Sequence, residues 1–367
     1  MINEELKLPL YAKATLFLIG LFVLVAMLYI AKSIIVPLFF AILVAILLHP
    51  VVNFFVRKRI NRVIAIILAL FLTYLAIGLF CALLFSQASR FSESWPILVE
   101  KFTGLLNQTI TWASGYFDIK PQKINDWISQ TKAGLIDTMS NSIGQTLVNI
   151  GSWLIVLFII PVYVFLILFY HPIILGFIRQ LFVKSNQNQV SEVVTQTKSV
   201  IQHYLTGLVI EFFLVAALNS IALLILGIDY AILLGIIGAL LNVIPYIGGF
   251  IAVALPVMIA LVTKSTAWYA VYVLASYYVI QLIDNHFIVP KIVASKVKIN
   301  ALFAIIVVLA GNALWGIAGM FLSIPLLAIV KLIFDHIEPL KPWGFLLGDT
   351  MPPLLKIKQI IKTKKTT

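Results

Sequence analysis

Two carboxylic acids stand inside stretches of this sequence that are otherwise apolar, and they are the side chains best equipped for chemistry. Glu211 lies about one turn into the apolar run Thr206–Ile228, and Asp284 about as far from the end of Ala267–Val289. An ionisable group near the middle of a lipid-spanning helix costs on the order of 3 kcal/mol on insertion scales, so one held there has either a partner or a task. Gln281, Asp284, Asn285 and Ile288 share one helical face, which gathers three polar side chains. Such a face suits the binding and release of a cation or a proton. The competing reading is a pair of interfacial carboxylates capped by Lys291 or Arg179.

Two asparagines occupy matching places in interrupted apolar segments. Asn242 precedes Pro245, Tyr246 and the pair Gly248-Gly249 within the run Ala231–Val262. Proline removes a backbone donor and breaks a helix, and Gly-Gly permits a sharp reversal. The arms on either side would rise only about 20 Å as helices, short of a hydrocarbon core roughly 30 Å thick. Two short arms around a breaker read as a re-entrant hairpin. Backbone groups freed at membrane depth must then line a cavity or be buried in protein. Asn312 sits in a second such run, Ala301–Phe334, with Gly311, Gly316, Gly319 and Pro325 as its interruptions. Each asparagine either coordinates a substrate or satisfies free backbone groups, and Tyr246 is placed to act as a gate. Asn219 reads as interhelical glue.

Other chemistries find no footing. The five histidines, His49, His171, His203, His286 and His336, fall singly at span ends, and no pair has metal-ligand spacing. There is no His-Glu-x-x-His, no Gly-x-Ser-x-Gly and no Walker A sequence, and Gly348-Asp349 belongs to the polar tail. Neither a catalytic residue nor a cofactor is implied. The lone Cys81, within an apolar run, is a packing residue.

The elements that must position these residues are membrane helices. Hydrophobic residues make up 62% of the chain and charged ones 11%, with a mean hydropathy of +1.08, which excludes a soluble fold. The net charge of +12 does not point to nucleic acid, because the basic residues sit at the ends of apolar runs. The expected fold is an all-α polytopic membrane protein with about six full spans and two re-entrant hairpins. Spans are expected over 14–31, 34–55, 63–85, 150–170, 206–228 and 267–289. Residues 86–149, more polar and carrying Trp95, Trp112 and Trp127, read as an extracytoplasmic region of short amphipathic helices. Residues 150–205 combine a span with a cytoplasmic amphipathic helix, 206–334 form the core with both hairpins, and 335–367 form a basic tail. Placing both termini in the cytoplasm leaves only Lys32, Arg90, Lys101, Lys120, Lys123, Lys132 and Lys264 of the 26 basic residues on the far side. In this orientation a span plus hairpin occurs twice with opposite direction, an inverted repeat suited to alternating access. A channel or a structural membrane scaffold is the competing class.

The residues also carry a resemblance. Leu226-Gly227, Leu234-Gly235 and Ile244-Pro245-Tyr246-Ile247-Gly248-Gly249, with Asp284 to Lys291 and Gly316-Ile317-Ala318-Gly319 ahead of Ile324-Pro325, are similar to the motifs of the autoinducer-2 exporter family, the PerM-like permeases. The likeness is densest from about Gln202 to Ile333. It implies a multi-span permease of the bacterial inner membrane, assembled as a homo-oligomer in contact with lipid and moving a small molecule or ion. Some members are described as exporters of the signalling molecule and others as sodium or lithium/proton antiporters. Many relatives carry glutamine after the glycine matching Gly207; this chain has Leu208 and places its polarity at Glu211.

Overall fold

Long apolar segments without turn residues become helices, because in lipid only a helix satisfies every backbone group within its own segment. A computed structural model describes residues 9–117, 158–181, 187–243, 248–293 and 299–349. Among these residues every regular element is helical. Six helices are long and apolar enough to cross a bilayer: α1 (Leu10–Ile30), α2 (Lys32–Arg57), α3 (Arg62–Phe117), α4 (Phe158–Gln180), α5 (Gln187–Ile225) and α11 (Ile317–His336). The shorter ones are α6 (Ala231–Asn242), α7 (Gly248–Ala252), α8 (Ala254–Thr263), α9 (Trp268–Ile283), α10 (Ala301–Trp315) and α12 (Lys341–Leu347). The chain is an all-α polytopic membrane protein, and its wide exposed apolar surface, from Phe17 on α1 to Phe213 on α5, is what lipid would cover.

Five of the six long helices, α1 to α5, fall on expected spans, and the sixth does not. Ala267–Val289 is not one α-helix: α9 stops at Ile283 and the chain continues as a π-helix over Asp284–Val293. Pro290 has no N–H to give and crowds the carbonyl four residues back, so an undisturbed α-helix cannot run through it. The sixth long helix is α11, expected to be half of a hairpin. The boundaries at 85/86 and 205/206 are not breaks either. α3 runs 56 residues through Pro96, and its hydroxyls bond back to their own helix, as Thr103 does to Val99 O (2.6 Å) and Thr109 to Leu105 O (2.9 Å). α5 joins the amphipathic segment to the fifth span in 39 residues. The tail begins with a 3₁₀ turn at Glu338–Leu340 and α12, whose Gly344 packs on Asp335 of α11. The expected helices around Trp127, the start of the fourth span and the tail beyond residue 349 lie outside the described residues.

α5 is the hub. Its residues enter three of the four apolar cores: one with α3, α6, α8 and α9, one with α2, α10 and α11, and one with α6 and the π-helix. The fourth core joins α2, α3 and α4. There Arg62 donates to Leu168 O at 2.7 Å, the carbonyl that Pro172 leaves without its helical partner.

The second interrupted run folds as an antiparallel pair of helices. α10 and α11 meet at Gly316, whose φ of 65° lies in the left-handed region open to glycine. Ser323 on α11 donates to Val307 O on α10 at 2.9 Å, and Gly311 and Gly319 bring the two backbones together. In the other run the chain returns at Gly248 against the end of α6, where an added Cβ would overlap the carbonyl of Leu241.

Candidate functional site

Helical spacing builds the walls of the site. On α5, Tyr204, Leu208 and Glu211 recur at four- and three-residue steps, and the stripe continues through Val215 to Asn219. Opposite it, Tyr277, Gln281 and Asp284 recur in the same way along α9 and into the π-helix. α6 ends between them with Asn242, and Gly249 closes the return. Together these enclose a cavity of about 640 Å³, completed by Tyr278, Asn285 and the apolar Leu274, Val289, Ala304 and Ile324. Mostly apolar walls with a few convergent polar groups are the usual make-up of a small-molecule site.

Both carboxylic acids line it. Glu211 is 6% exposed and Asp284 2%. Asn242 donates from Nδ2 to Asp284 Oδ2 at 2.8 Å, while Asp284 Oδ1 is buried with no partner among the described residues. Gln281 Nε2 donates to Asn285 Oδ1 at 3.3 Å. The backbone at Gly249 comes so close that a Cβ there would lie 2.5 Å from Gln281 Oε1 and 3.3 Å from Asn242 Oδ1. Helix α5 crosses the π-helix just below, at Gly207, where a Cβ would meet Ile292 O at 2.6 Å.

The capping alternative does not match this geometry. Lys291 Nζ lies over the Phe287 ring, 5.6 Å from its centroid, and Arg179 donates to Ser191 Oγ at 3.2 Å. Neither cation is on Asp284 or Glu211. Ion pairs among the described residues are Lys331–Asp335 and Lys341–Glu338, both away from the cavity.

Of the residues singled out in the sequence, Glu211, Asn242, Gly249, Gln281, Asp284 and Asn285 meet at this cavity, and Gly248 abuts its rim. Asn312, Gly316 and Gly319 do not. They form the tip of the α10–α11 pair, where Trp315 donates from Nε1 to Leu28 O of α1 at 3.0 Å. That pair reaches the cavity with Ala304 and Ile324, several turns from its tip. Pro245 and Tyr246 lie outside the described residues. Tyr204, Tyr277 and Asn219 were not picked out as site residues, although each falls in register with a carboxylate, Asn219 eight positions after Glu211 and Tyr277 seven before Asp284. That register was the available signal. His49 and His171, distant in sequence, have rings 5.0 Å apart, with Lys198 donating to His49 Nδ1 at 3.0 Å. His203, His286 and His336 each bond a carbonyl of their own helix.

The sequence profile described as AI-2E family transporter matches residues 17–338. YrrI of Bacillus subtilis (strain 168) is 27% identical over 313 residues, covering 83% of this chain and 87% of its own length. The AI-2 transport protein TqsA of Escherichia coli (strain K12) is 24% identical, with 87% of this chain and 90% of its own length covered. PerM of the same strain is 25% identical across 64% of this chain and 69% of its own length.

Proposed function

Because the chain belongs to the AI-2E transporter family, we propose that the cavity between α5, the end of α6 and the α9–π segment is the transit site of a permease working by alternating access. The observation that carries the reading is the pair of buried carboxyls, Glu211 and Asp284, on one cavity with no cation paired to either among the described residues. Buried ionisable groups inside a membrane protein that are not neutralised by a partner are commonly held for an ion or a proton. The cargo is a small solute or ion, and its movement is coupled to a cation or proton at Asp284, with Glu211 as the second carboxyl of the path. No group in the cavity is assigned catalysis. The polar groups suit a small polar solute such as the AI-2 in the name of TqsA, and the carboxyls equally suit sodium or lithium exchanged for protons. The protein sits in the bacterial inner membrane with both termini cytoplasmic, works as a homo-oligomer, and moves its cargo by rearranging α6–α8 and α10–α11, the two re-entrant arms of an inverted repeat.

Reconstitution into liposomes tests this. Flux of sodium or lithium against protons, and efflux of a small polar signalling molecule, are measured side by side for the parent and for Asp284→Asn, which keeps shape and removes charge. The variant should lose coupled flux and its pH dependence while still inserting and assembling. Parental rate and pH profile in the variant would make Asp284 a packing residue.

A further inference from the structure

Away from the cavity, a cluster of bases joins four helices and has no part in the transit site. His49 of α2, His171 of α4 and Lys198 of α5 meet there. The two rings stand 5.0 Å apart, and Lys198 Nζ lies 3.0 Å from His49 Nδ1 and 3.3 Å from Nε2. Arg62 of α3 donates to Leu168 O at 2.7 Å, which sets its guanidinium within one helical turn of His171 on α4. Asn53, one turn along α2, donates from Nδ2 to His49 Nδ1 at 3.1 Å. All four bases are half-buried, and none forms an ion pair among the described residues. Basic residues that only orient a membrane protein stand apart in water and need no partner. These are packed together, where like charges repel and partial burial weakens screening.

We propose that this cluster binds one phosphate group, the headgroup of an acidic phospholipid, through Lys198, Arg62 and His171, with His49 orienting Lys198. The donors are in hand. An ammonium has three protons, of which His49 can take at most two, and Arg62 gives Leu168 one of its five N–H groups. Lysine and arginine are the usual partners of phosphate oxygens. The lipid source follows from the surroundings. Val51 and Phe54 of α2 and Phe169, Tyr170 and Ile173 of α4, all exposed, flank the cluster with apolar surface on which acyl chains can lie. Arg57, Lys58 and Arg59 adjoin it, so it belongs to the side that the positive-inside rule makes cytoplasmic. Basic pockets between membrane helices on that side are where acidic headgroups bind. A zwitterionic headgroup fits less well, because its ammonium would enter a group of bases with no carboxylate paired to them. None of the four bases lines the transit cavity, so the proposal does not rest on that reading. A bound headgroup would offset the repulsion and fasten the beginning of α5, the hub helix, to α2, α3 and α4.

The unfolding temperature of the purified full-length chain in detergent reads the binding. Phosphatidylglycerol, phosphatidylethanolamine, phosphatidylcholine or inorganic phosphate is titrated in at constant ionic strength. The parent should rise saturably with phosphatidylglycerol and not with the two zwitterionic lipids or with inorganic phosphate. Lys198→Met and His171→Phe each remove one donor and should raise the midpoint concentration by about tenfold. Lys58→Gln removes a neighbouring exposed charge, whose Nζ lies over the Phe54 ring, and should move the midpoint by less than about twofold. Unfolding temperatures in phosphatidylcholine show which variants fold, and either cluster variant alone suffices for the comparison. A parent that does not distinguish phosphatidylglycerol from phosphatidylcholine overturns the proposal. So does an equal loss in Lys58→Gln, which would mean diffuse attraction to surface charge. A saturable rise with inorganic phosphate that Lys198→Met removes would uphold the phosphate site and overturn its lipid source.

Discussion

Asn242 is the residue on which the carboxyl of Asp284 depends for its place. It supplies the one hydrogen bond that the Asp284 side chain, 2% exposed, accepts among the described residues, so its loss strands an acceptor in a nearly dry site. Replacing Asn242 by leucine should cost about 1–3 kcal/mol, the usual penalty for stranding a buried polar partner. In an Asp284→Leu background the same change should cost much less, because no acceptor remains. Denaturant unfolding of the four proteins in this cycle gives the coupling directly, and additive effects would show that the contact carries no energy. The two carboxyls were legible from the sequence because charge is rare in an apolar run. Asn219 and Tyr277 were not. An asparagine among apolar residues reads as helix glue and a tyrosine as ordinary packing, and only the approach of α5 and α9 to Gly238 of α6 brings Asn219 Nδ2 and Tyr277 Oη to one place.

At the scale of elements, the sequence marked where helices are interrupted better than how. The pair Gly248-Gly249 reads as a reversal in the sequence; a Cβ at Gly248 would collide with the backbone of Leu241, and one at Gly249 would meet the Gln281 side chain. Replacing both by leucine forces that contact apart. Transport should be abolished while the protein still reaches the membrane, as membrane fractionation and liposome flux would report; parental flux in the double variant would mean that the close approach is dispensable. The π-helix was not legible. Pro290 announces a disturbance, but the register change begins six residues earlier at Asp284, where nothing local favours it. What holds it is tertiary: Asp284 tied to α6, and Ile292 and Val293 pressed against Gly207. The continuity of α3 and α5 was hidden for a related reason. A polar stretch looks like a boundary in sequence, whereas a helix needs no apolar face to continue into water, where its Ser and Thr hydroxyls bond back to its own carbonyls.

Across the whole molecule, a few long-range contacts sort the chain into two levels, and these bear on which end faces which side of the membrane. At one level His49, Arg62, Leu168, His171 and Lys198 meet, from α2, α3, α4 and α5. Gln189 near the start of α5 donates to His336 O at the end of α11 at 2.5 Å, and Asn300 N donates to Leu347 O at 2.9 Å. The start of α10, the end of α11 and α12 therefore share a side. At the other level Tyr230, after α5, donates to Ser94 Oγ of α3 at 2.7 Å. A helix of 56 residues is about 84 Å long at 1.5 Å per residue, far more than a bilayer, so α3 projects beyond the membrane with its polar end. α5, with 39 residues, projects the other way with its polar beginning. The dense basic cluster Arg57-Lys58-Arg59 and Arg62 belongs to the first level, which the positive-inside rule assigns to the cytoplasm. In a Cys81→Ser background, single cysteines at Glu93 or Thr109 should react with a membrane-impermeant maleimide added to intact cells. Cysteines at Arg59 or Lys341 should react only after the membrane is opened. Outward labelling at Lys341 alone would detach α12 from the cytoplasmic level and contradict the bond between Asn300 and Leu347. Outward labelling at both Arg59 and Lys341 would keep the two levels and invert the protein. The carboxyl side of the cavity would then open outward, and the direction in which an ion gradient could drive the cargo would reverse with it.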